Sequence, residues 1–416
     1  MSEKLRLGMI GFGGRGIGML KFALLPLSEE EVDLVAVCDL YPDRVEEAQK
    51  LIEEKHGYVP FGTTDYRDLL TMDNVDAIII MSSWESHIDI ATAAMKAGKP
   101  VGMEVGCAYS LDDCWRLVHT YEETGVPCMM LENCCYGKRE LMVLNMVKKG
   151  IFGDVVHCEG GYMHDLRQEI VTGKENRHYR LRNYMHRNCH NYPTHELGPI
   201  CKILNINNGN RLLSLSSMAT PAAKGLHEYI ISRKGPDHEL AKVEWRQADV
   251  VKTNIICANG EMISLTLDTT LPRTYSRNFT VRGTKANYFE LNDSLYIDQQ
   301  DAQYEFKGKE MWGCAEKYEE EYLHPLWKGY TVNDGHGGMD TQVFRAFINA
   351  VKLGINPPID TYDTALWMSI AALSEQSIAA GGAPVAVPDF TNGKWMERTD
   401  IVDQKYGLNK IIEDEE

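Results

Sequence analysis

The chain has 416 residues, of which 44% are hydrophobic and 25% charged, and its formal net charge is −17. This length predicts two domains of a globular enzyme, and the negative charge argues against nucleic-acid binding, which needs clustered Lys and Arg. The eleven cysteines are scattered without a Cys-x-x-Cys pair, no secretion leader opens the sequence, and no apolar run approaches the ~18 residues of a membrane span, so a cytoplasmic protein with free thiols is expected.

The first third of the chain alternates strand and helix patterns, which predicts a doubly wound parallel sheet of the Rossmann type over residues 1–134. The expected strands lie near 5–11, 32–38, 76–81, 100–104 and 127–131, and the expected helices include 43–55 and 87–97. Ligands of such sheets bind at the carboxyl ends of the strands. The segments 82–84 and 104–106 are therefore expected beside any cofactor.

The first predicted strand runs directly into a Gly-x-Gly-x-x-Gly turn. In such a turn Gly11 makes the bend, Gly13 leaves room for phosphates, and Gly16 lets helix and strand pack closely. Asp39 ends the second strand, where an acid holds the ribose hydroxyls of NAD and repels the extra phosphate of NADP, although Arg44 would soften that repulsion. The pattern predicts bound NAD; the alternative is a turn kept only for strand–helix packing.

From about residue 134 the pattern changes to strands separated by turn signals, with a helix near 141–147 before Gly150. The expected strands are 154–164, 211–218, 240–247, 251–258, 261–268, 278–283 and 294–298, with a late helix at 363–380. Asn259-Gly260 is a good hairpin turn between two of these strands. Residues 135–416 are therefore predicted to form an α+β domain with a mostly antiparallel sheet.

Two segments of this second domain combine groups that can transfer protons. Tyr162 and His164 point to the same face of a predicted strand, where a phenol and an imidazole can share a proton. His195 lies in the first turn of a helix that Thr194 can cap, so it can act as a base. The alternatives are that Tyr162 and His164 only form a pair on the sheet surface, and that His195 only packs at the helix start.

Two further patterns leave their function open. His186, Cys189, His190 and His195 have spacing that could suit zinc, but Pro193 interrupts the segment and no carboxylate of matching spacing follows, so no metal is expected. The segment 271–277 contains Arg273, Tyr275 and Arg277, which could bind a polyol or an anion or simply form a charged loop.

Several motifs resemble those of the Gfo/Idh/MocA oxidoreductases, namely the glycine turn, Ser82-Ser83-Trp84-x-x-His87 and Lys99-Pro100-Val101-x-x-Glu104. That resemblance implies an N-terminal Rossmann domain followed by an α+β domain whose open sheet bears the substrate site and a dimer contact. The ordinary dehydrogenases of the family carry a Lys where this chain has Val105 and an Asp where it has Asn191. Simple dehydrogenase chemistry is therefore disfavoured.

A second set of motifs resembles glycoside hydrolase family 109 over nearly the whole chain. The motifs are Glu104-Val105, Glu132-Asn133-x-x-Tyr136, Gly160-Gly161-Tyr162-x-His164-Asp165-Leu166-Arg167, Tyr192-Pro193-Thr194-His195, Pro272-Arg273-x-Tyr275-Ser276-Arg277, His336-Gly337-Gly338-Met339-Asp340 and Val387-Pro388-Asp389-Phe390-Thr391. This chain differs from the family in having Gly106-Cys107 in place of Pro-Ala, a change that would reshape the nicotinamide pocket.

Three groups of site residues are expected. The resemblance implies that the catalytic residues are His195, acting on the hydroxyl at carbon 3 of a sugar, and Tyr162, acting as the base at carbon 2. The substrate contacts are Tyr192, His164, Arg167, Tyr275 and Arg277. The NAD contacts are Gly11, Gly13, Gly14, Arg15, Gly16, Asp39, Ser82, Trp84, His87, Glu104, Val105 and Asn133. His164 or Arg167 is expected to stabilise the phenolate of Tyr162.

The resemblance implies an NAD-dependent glycosidase acting on terminal N-acetylgalactosamine or a related hexoside, as a homo-oligomer. Its chemistry is transient oxidation at carbon 3, elimination of the aglycone, addition of water and re-reduction, without the carboxylate pair of most glycosidases. The alternatives are an NAD-dependent sugar dehydrogenase or 3-oxidoreductase on the same scaffold, and a cofactor-sensing binding protein without catalysis.

Overall fold

The structure is a computed structural model that describes residues 4–301, 308–332 and 336–412. The chain divides into two compact units. The first comprises Met1–Gly137, Gly329–Leu366 and Thr399–Glu416, and the second comprises Lys138–Lys328 and Trp367–Arg398. The strands in chain order are β1 Leu5–Ile10, β2 Val32–Cys38, β3 Phe61–Thr63, β4 Ala77–Ile80, β5 Val101–Met103, β6 Cys128–Met130, β7 Val155–Met163, β8 Leu212–Ala219, β9 Val250–Cys257, β10 Met262–Asp268, β11 Thr280–Gly283, β12 Ala286–Phe289, β13 Ser294–Ile297 and β14 Val385–Ala386.

The α-helices follow the same order along the chain. They are α1 Gly14–Met19, α2 Leu25–Leu27, α3 Pro42–His56, α4 Tyr66–Leu70, α5 Trp84–Lys96, α6 Leu111–Thr124, α7 Lys138–Lys148, α8 Arg167–Val171, α9 Arg180–His186, α10 Thr194–Ile203, α11 Lys224–Lys234, α12 Glu319–Tyr322, α13 Met339–Leu353 and α14 Thr361–Ala379. A π-helical turn, Leu20–Leu24, joins α1 to α2. Among the described residues, no helix has both the length and the apolar character that crossing a membrane requires.

The first unit is built on a six-stranded sheet in the order β3-β2-β1-β4-β5-β6, and every neighbouring pair is parallel. All four residues of β4 are buried, as expected for a central strand that helices cover on both faces. This order is that of a Rossmann sheet, in which the order of strand addition reverses between β1 and β4. The predicted doubly wound fold is confirmed.

The first unit also contains residues that the predicted boundaries placed in the second domain, 329–366 and 399–416. Helix α13 packs on the parallel sheet: the ring of Phe347 lies 3.3 Å from the position that a Cβ of Gly102 would occupy in β5. Arg345 of the same helix forms an ion pair with Glu31 at 2.9 Å. These contacts join segments more than 240 residues apart in the sequence, a return of the chain that local patterns do not predict.

The second unit is built on an eight-stranded sheet in the order β13-β12-β11-β7-β10-β9-β8-β14. Its neighbours are antiparallel except β7 and β10, which are parallel. The predicted α+β domain with a mostly antiparallel sheet is confirmed. One predicted strand is wrong: in 240–247 the structure has a 3-10 turn, Glu239–Lys242, and irregular backbone. Its apolar residues Leu240 and Trp245 are buried individually without pairing to a strand.

Helix α10 packs directly on strand β7, and this contact positions the candidate catalytic residues of the second unit. A Cβ at Gly160 would lie 2.3 Å from the Cβ of Glu196, so only glycine allows this approach. Tyr162 follows on the same face of β7, since side chains two apart share a face. His195 precedes Glu196 in the first turn of α10. The close packing therefore brings the phenol and the imidazole together.

Candidate active site

The glycine turn has the tight geometry that the sequence predicts. Gly11 has φ +101°, and a Cβ there would lie 2.5 Å from the backbone of Met81 and Ser82. A Cβ at Gly16 would lie 2.1 Å from the carbonyl oxygen of Gly11. At Gly14 no atom lies within 4 Å of the Cβ position, so the turn leaves open the space that a pyrophosphate needs. These residues fit a dinucleotide.

Asp39 lies at the carboxyl end of β2, where the sequence places the ribose contact. Its carboxylate is buried and accepts hydrogen bonds from the backbone N–H groups of Phe12 (2.7 Å) and Tyr41 (3.0 Å). The guanidinium of Arg44 lies 3.9 Å from the same carboxylate and stacks over the ring of Tyr41. These hydrogen bonds hold the Asp39 carboxylate against the glycine turn. Arg44 lies beside that carboxylate, where it is expected to weaken the repulsion between Asp39 and the extra phosphate of NADP.

The start of helix α5 borders the glycine turn, because Ser82 lies between Gly11 and His87. His87 is fully buried, and its Nε2 lies 3.0 Å from the backbone oxygen of Ser82. Burial lowers the pKa of His87 to about 4, so the imidazole is neutral. A Cβ at Gly106 would lie 2.7 Å from Cδ1 of Trp84 and 3.1 Å from Nδ1 of His87. The glycine that replaces the expected proline thus makes room for the indole.

An ionic network around the buried carboxyl groups of Glu104 and Asp340 connects the glycine turn to the carboxyl ends of β5 and β6. Arg15 donates to Oε2 of Glu104 at 3.2 Å and to both carboxylate oxygens of Asp340 at 3.0 and 3.1 Å. Asn133 donates to Asp340 at 2.7 Å, and Nδ1 of His336 lies 2.9 Å from the same carboxylate. Although burial opposes it, the hydrogen bond from His336 and the charge of Arg15 hold the pKa of Asp340 well below its usual value.

The second unit brings together an aromatic cluster around Tyr162. Its hydroxyl lies 2.8 Å from Nδ1 of His164, a hydrogen bond in which the phenol donates to the neutral imidazole or a phenolate accepts from it. The ring centroids of Tyr192 and His195 lie 4.3 and 5.4 Å from that of Tyr162. Tyr275 is 5.2 Å from His164 and half-exposed. These are the proton-transferring residues that the sequence predicts at a sugar site.

Arg180 supplies a buried positive charge beside this cluster. Its guanidinium lies 5.5 Å from the ring centroid of Tyr192 and is ion-paired with Glu169. Burial disfavours its charged form, but Glu169 and neighbouring phenols that include Tyr162 hold the pKa of Arg180 above its usual value. Burial and the charge of Arg180 both lower the pKa of His164, which keeps that imidazole neutral.

Two predicted substrate residues are engaged elsewhere. Arg167, which was expected to stabilise the phenolate of Tyr162, instead pairs with Asp165 at 2.7 Å and lies over the ring of Tyr229. The cation whose charge acts on Tyr162 is Arg180. The sequence analysis offers His164 or Arg167 for this stabilisation because both are close to Tyr162 in sequence, whereas α9 brings Arg180 to the site from further along the chain.

Arg277 was predicted to contact substrate, but the structure places it among buried carboxylates. Its guanidinium lies 2.7 Å from Glu140 and 3.3 Å from Glu196, and Glu290 is 3.8 Å away. Backbone hydrogen bonds between Met163 and the residue before Arg277 fix this segment against the end of β7. Arg277 therefore ties α10 to the 275–277 segment.

The four residues with zinc-like spacing have different surroundings. His186 is exposed at the end of α9, whereas Cys189 is buried. His190 is fully buried with Nδ1 3.2 Å from the hydroxyl of Thr253, and burial lowers its pKa to about 3. His195 packs in the aromatic cluster.

The sequence analysis did not include Arg180, His336 or Asp340 among the candidate site residues, although the structure places them beside those residues. Arg180 lies in a segment without a motif, so no sequence signal would have found it. His336-Gly337-Gly338-Met339-Asp340 was recognised as a motif, and an acid held in the first turn of a helix after two glycines was a usable signal.

Comparisons with known proteins identify the families to which both parts of the chain belong. Residues 136–397 match the model of the glycosyl hydrolase 109 C-terminal domain, and residues 5–132 match that of the oxidoreductase family with an NAD-binding Rossmann fold. A glycosyl hydrolase family 109 protein of Stenotrophomonas maltophilia (strain K279a) is 38% identical, covering 97% of this chain and 93% of the relative. An alpha-N-acetylgalactosaminidase of Tannerella forsythia is 36% identical, covering 95% and 88%.

Solved structures share the fold at low identity. Levoglucosan dehydrogenase in complex with NADH and levoglucosan has a TM-score of 0.68 and 16% identity, covering 93% of this chain and 100% of that chain. An inositol dehydrogenase homologue from Azotobacter vinelandii, complexed with NADH and myo-inositol, has a TM-score of 0.65, 16% identity and coverages of 93% and 98%. The two family models and the identity to curated relatives show that this chain is an enzyme of glycosyl hydrolase family 109 with an N-terminal NAD-binding Rossmann domain of the Gfo/Idh/MocA type.

Proposed function

We propose that the protein removes a terminal N-acetylgalactosamine or a related hexoside from its aglycone through transient oxidation of the sugar at carbon 3. The observation that carries this proposal is the hydrogen bond of 2.8 Å between Tyr162 and His164, set among Tyr192 and His195. A phenol–imidazole pair is suited to removing a carbon-bound proton next to a ketone. The alpha-N-acetylgalactosaminidase relative supports the choice of sugar.

His195 is assigned to the hydroxyl at carbon 3. It lies partly buried in the first turn of α10, with its ring 4.8 Å from that of Tyr192. As the hydroxyl is oxidised, the imidazole accepts its proton, and it returns that proton when the ketone is reduced. Bound NAD+ supplies the oxidation and the later reduction by accepting and returning a hydride.

Tyr162 is assigned to the proton at carbon 2, which the ketone at carbon 3 makes acidic. The neutral imidazole of His164 takes the phenolic proton, and the buried charge of Arg180 stabilises the phenolate. Loss of the carbon 2 proton drives the aglycone off carbon 1 by elimination. Water then adds to the double bond, and carbon 2 is reprotonated.

The test is the isotope content of the sugar released in deuterated water. Elimination requires the proton at carbon 2 to be replaced from solvent, so the product should carry deuterium there, and aglycone should be released without added NAD. Released sugar with an unlabelled carbon 2 would contradict the elimination mechanism. Accumulation of NADH with a keto-sugar and no cleavage would instead favour the dehydrogenase alternative.

We also infer that the chain forms a homo-oligomer in a reducing compartment. All eleven cysteines lie within the described residues and are free thiols, as expected in the cytoplasm. The face of the second sheet opposite α10 exposes apolar side chains on neighbouring strands: Met218, Ile256 and Met262. Exposed apolar patches of this kind mark interfaces, and a second copy of the chain is the expected partner.

A further inference from the structure

In a Rossmann sheet, the two halves of a bound dinucleotide lie on opposite sides of the point where the strand order reverses. Asp39, the expected contact of the adenosine ribose, follows β2, on one side of the reversal between β1 and β4. A dinucleotide spans that reversal, so its nicotinamide half lies toward the ends of β4, β5 and β6. Glu104 follows β5 and Glu132 follows β6.

Three carboxyl groups are buried on this nicotinamide side. Glu104, Glu132 and Asp340 are 8%, 0% and 3% exposed. Arg15 binds both Glu104 and Asp340, and Asn133 also donates to Asp340. Burial raises the pKa of Glu104 more than Arg15 lowers it, and the charges of Asp340 and Glu132 raise it further.

Two buried carboxyl groups, Glu104 and Asp340, share the guanidinium of Arg15, so an additional positive charge near them would be stabilising. The nicotinamide ring of NAD+ carries a positive charge, which is neutralised when the ring accepts a hydride and becomes NADH. The pyrophosphate and both riboses are the same in the two forms. A negative field on the nicotinamide side therefore distinguishes the two forms, whereas contacts elsewhere do not.

We propose that Glu104, Glu132 and Asp340 bias the bound dinucleotide toward its oxidised form. The inference rests on the proposed function, because a glycosidase that recovers its cofactor in every turnover must return to bound NAD+ before the next sugar is oxidised. In this arrangement Asp340 is a positioning residue as well, since it fixes Arg15 and Asn133. The side chains thus set the resting redox state, a property separate from the chemistry on the sugar.

The test measures the redox preference of the full-length holoenzyme rather than its activity. The protein is equilibrated with mixtures of NAD+ and NADH of known ratio and desalted rapidly, and the reduced fraction of bound cofactor is read from its absorbance. The ratio of the dissociation constants of NADH and NAD+ follows directly. We expect it to exceed one in the native protein and to fall by about tenfold in Asp340→Asn and in Glu104→Gln, which remove one negative charge each. A tenfold change corresponds to about 30 mV for this two-electron couple.

Asp39→Asn is the matched control, because it removes a buried carboxylate from the adenosine side. It should weaken the binding of both forms alike and leave their ratio unchanged. If Asp340→Asn fails to fold, as circular dichroism would show, Glu104→Gln decides the question.

If the ratio of the dissociation constants of NADH and NAD+ is unchanged or increased in the folded variants, the inference is overturned. It is also overturned if Asp39→Asn lowers this ratio as much as they do. The deuterium label at carbon 2 tests the proposed function independently, because its presence depends on elimination and not on cofactor preference. Failure of one test therefore leaves the other result intact.

Discussion

At the residue scale, the proposal divides the chemistry between two side chains that act in sequence. His195 serves the alcohol at carbon 3, and Tyr162 serves the proton at carbon 2, in a cluster whose ring centroids are 5.4 Å apart. His195→Ala should suppress the first hydride transfer, so no NADH absorbance should appear on mixing with substrate. Tyr162→Phe should still permit oxidation but stop aglycone release. Stopped-flow absorbance separates the two, and wild-type turnover in Tyr162→Phe would remove it from the role of base.

The surroundings of His164 predict the pH dependence of the reaction. Burial and the charge of Arg180 lower its pKa, against the opposing charges of Glu169 and Asp165, and His195 lowers it further. Because the neutral imidazole accepts the phenolic proton, activity should be retained as pH falls through the ordinary histidine value of about 6.5 and be lost only below it.

His164→Gln provides the matching comparison, since it keeps a polar group but cannot take up a proton. We expect kcat to fall by about 10²-fold or more, the usual contribution of a general acid–base group. The acid limb of the pH–rate profile measured for kcat/KM should also change. A variant with the native profile and rate would show that Tyr162 is deprotonated by another group.

At the scale of elements, the contact between α10 and β7 decides whether the cluster assembles. A Cβ at Gly160 would lie 2.3 Å from the Cβ of Glu196, so Gly160→Ala must push α10 away from the sheet. Such overpacking typically costs about 1–3 kcal/mol of unfolding free energy. We expect a lower denaturation midpoint and a larger loss in kcat, because His195 moves with the helix.

Gly18→Ala is the control for this prediction. At Gly18 in α1 nothing lies within 4 Å of the Cβ position apart from its chain neighbours and the helix backbone, so alanine should be neutral or slightly stabilising. Equal effects of the two substitutions on the denaturation midpoint would mean that the contact at Gly160 does not hold α10 in place.

Among the elements, some follow from local sequence patterns and others depend on tertiary contacts. The alternation of β1, β4 and the helices, and the hairpin of β9 and β10, follow from local periodicity, and so does the proximity of Tyr162 and His164 at the end of β7. The return of α13 to the first sheet, and hence Asp340 beside Arg15, depends on a tertiary contact across the sequence. Arg180 reaches the cluster by the same kind of long-range packing, so no local pattern marks it.

At the scale of the whole molecule, the exposed face of the second sheet bears on assembly. Ile256 and Met262 are register partners on β9 and β10, and they are 44% and 37% exposed. A charge placed there would have to be buried without a partner if this face joins two copies, which strongly disfavours association. We expect the native protein to be a dimer or larger and Ile256→Asp to be a monomer by size-exclusion chromatography with light scattering. Leu291→Asp, at an apolar residue that is 72% exposed outside the strands, should leave the assembly unchanged. A monomeric native protein, or an Ile256→Asp variant that still associates, would show that this face is not the interface.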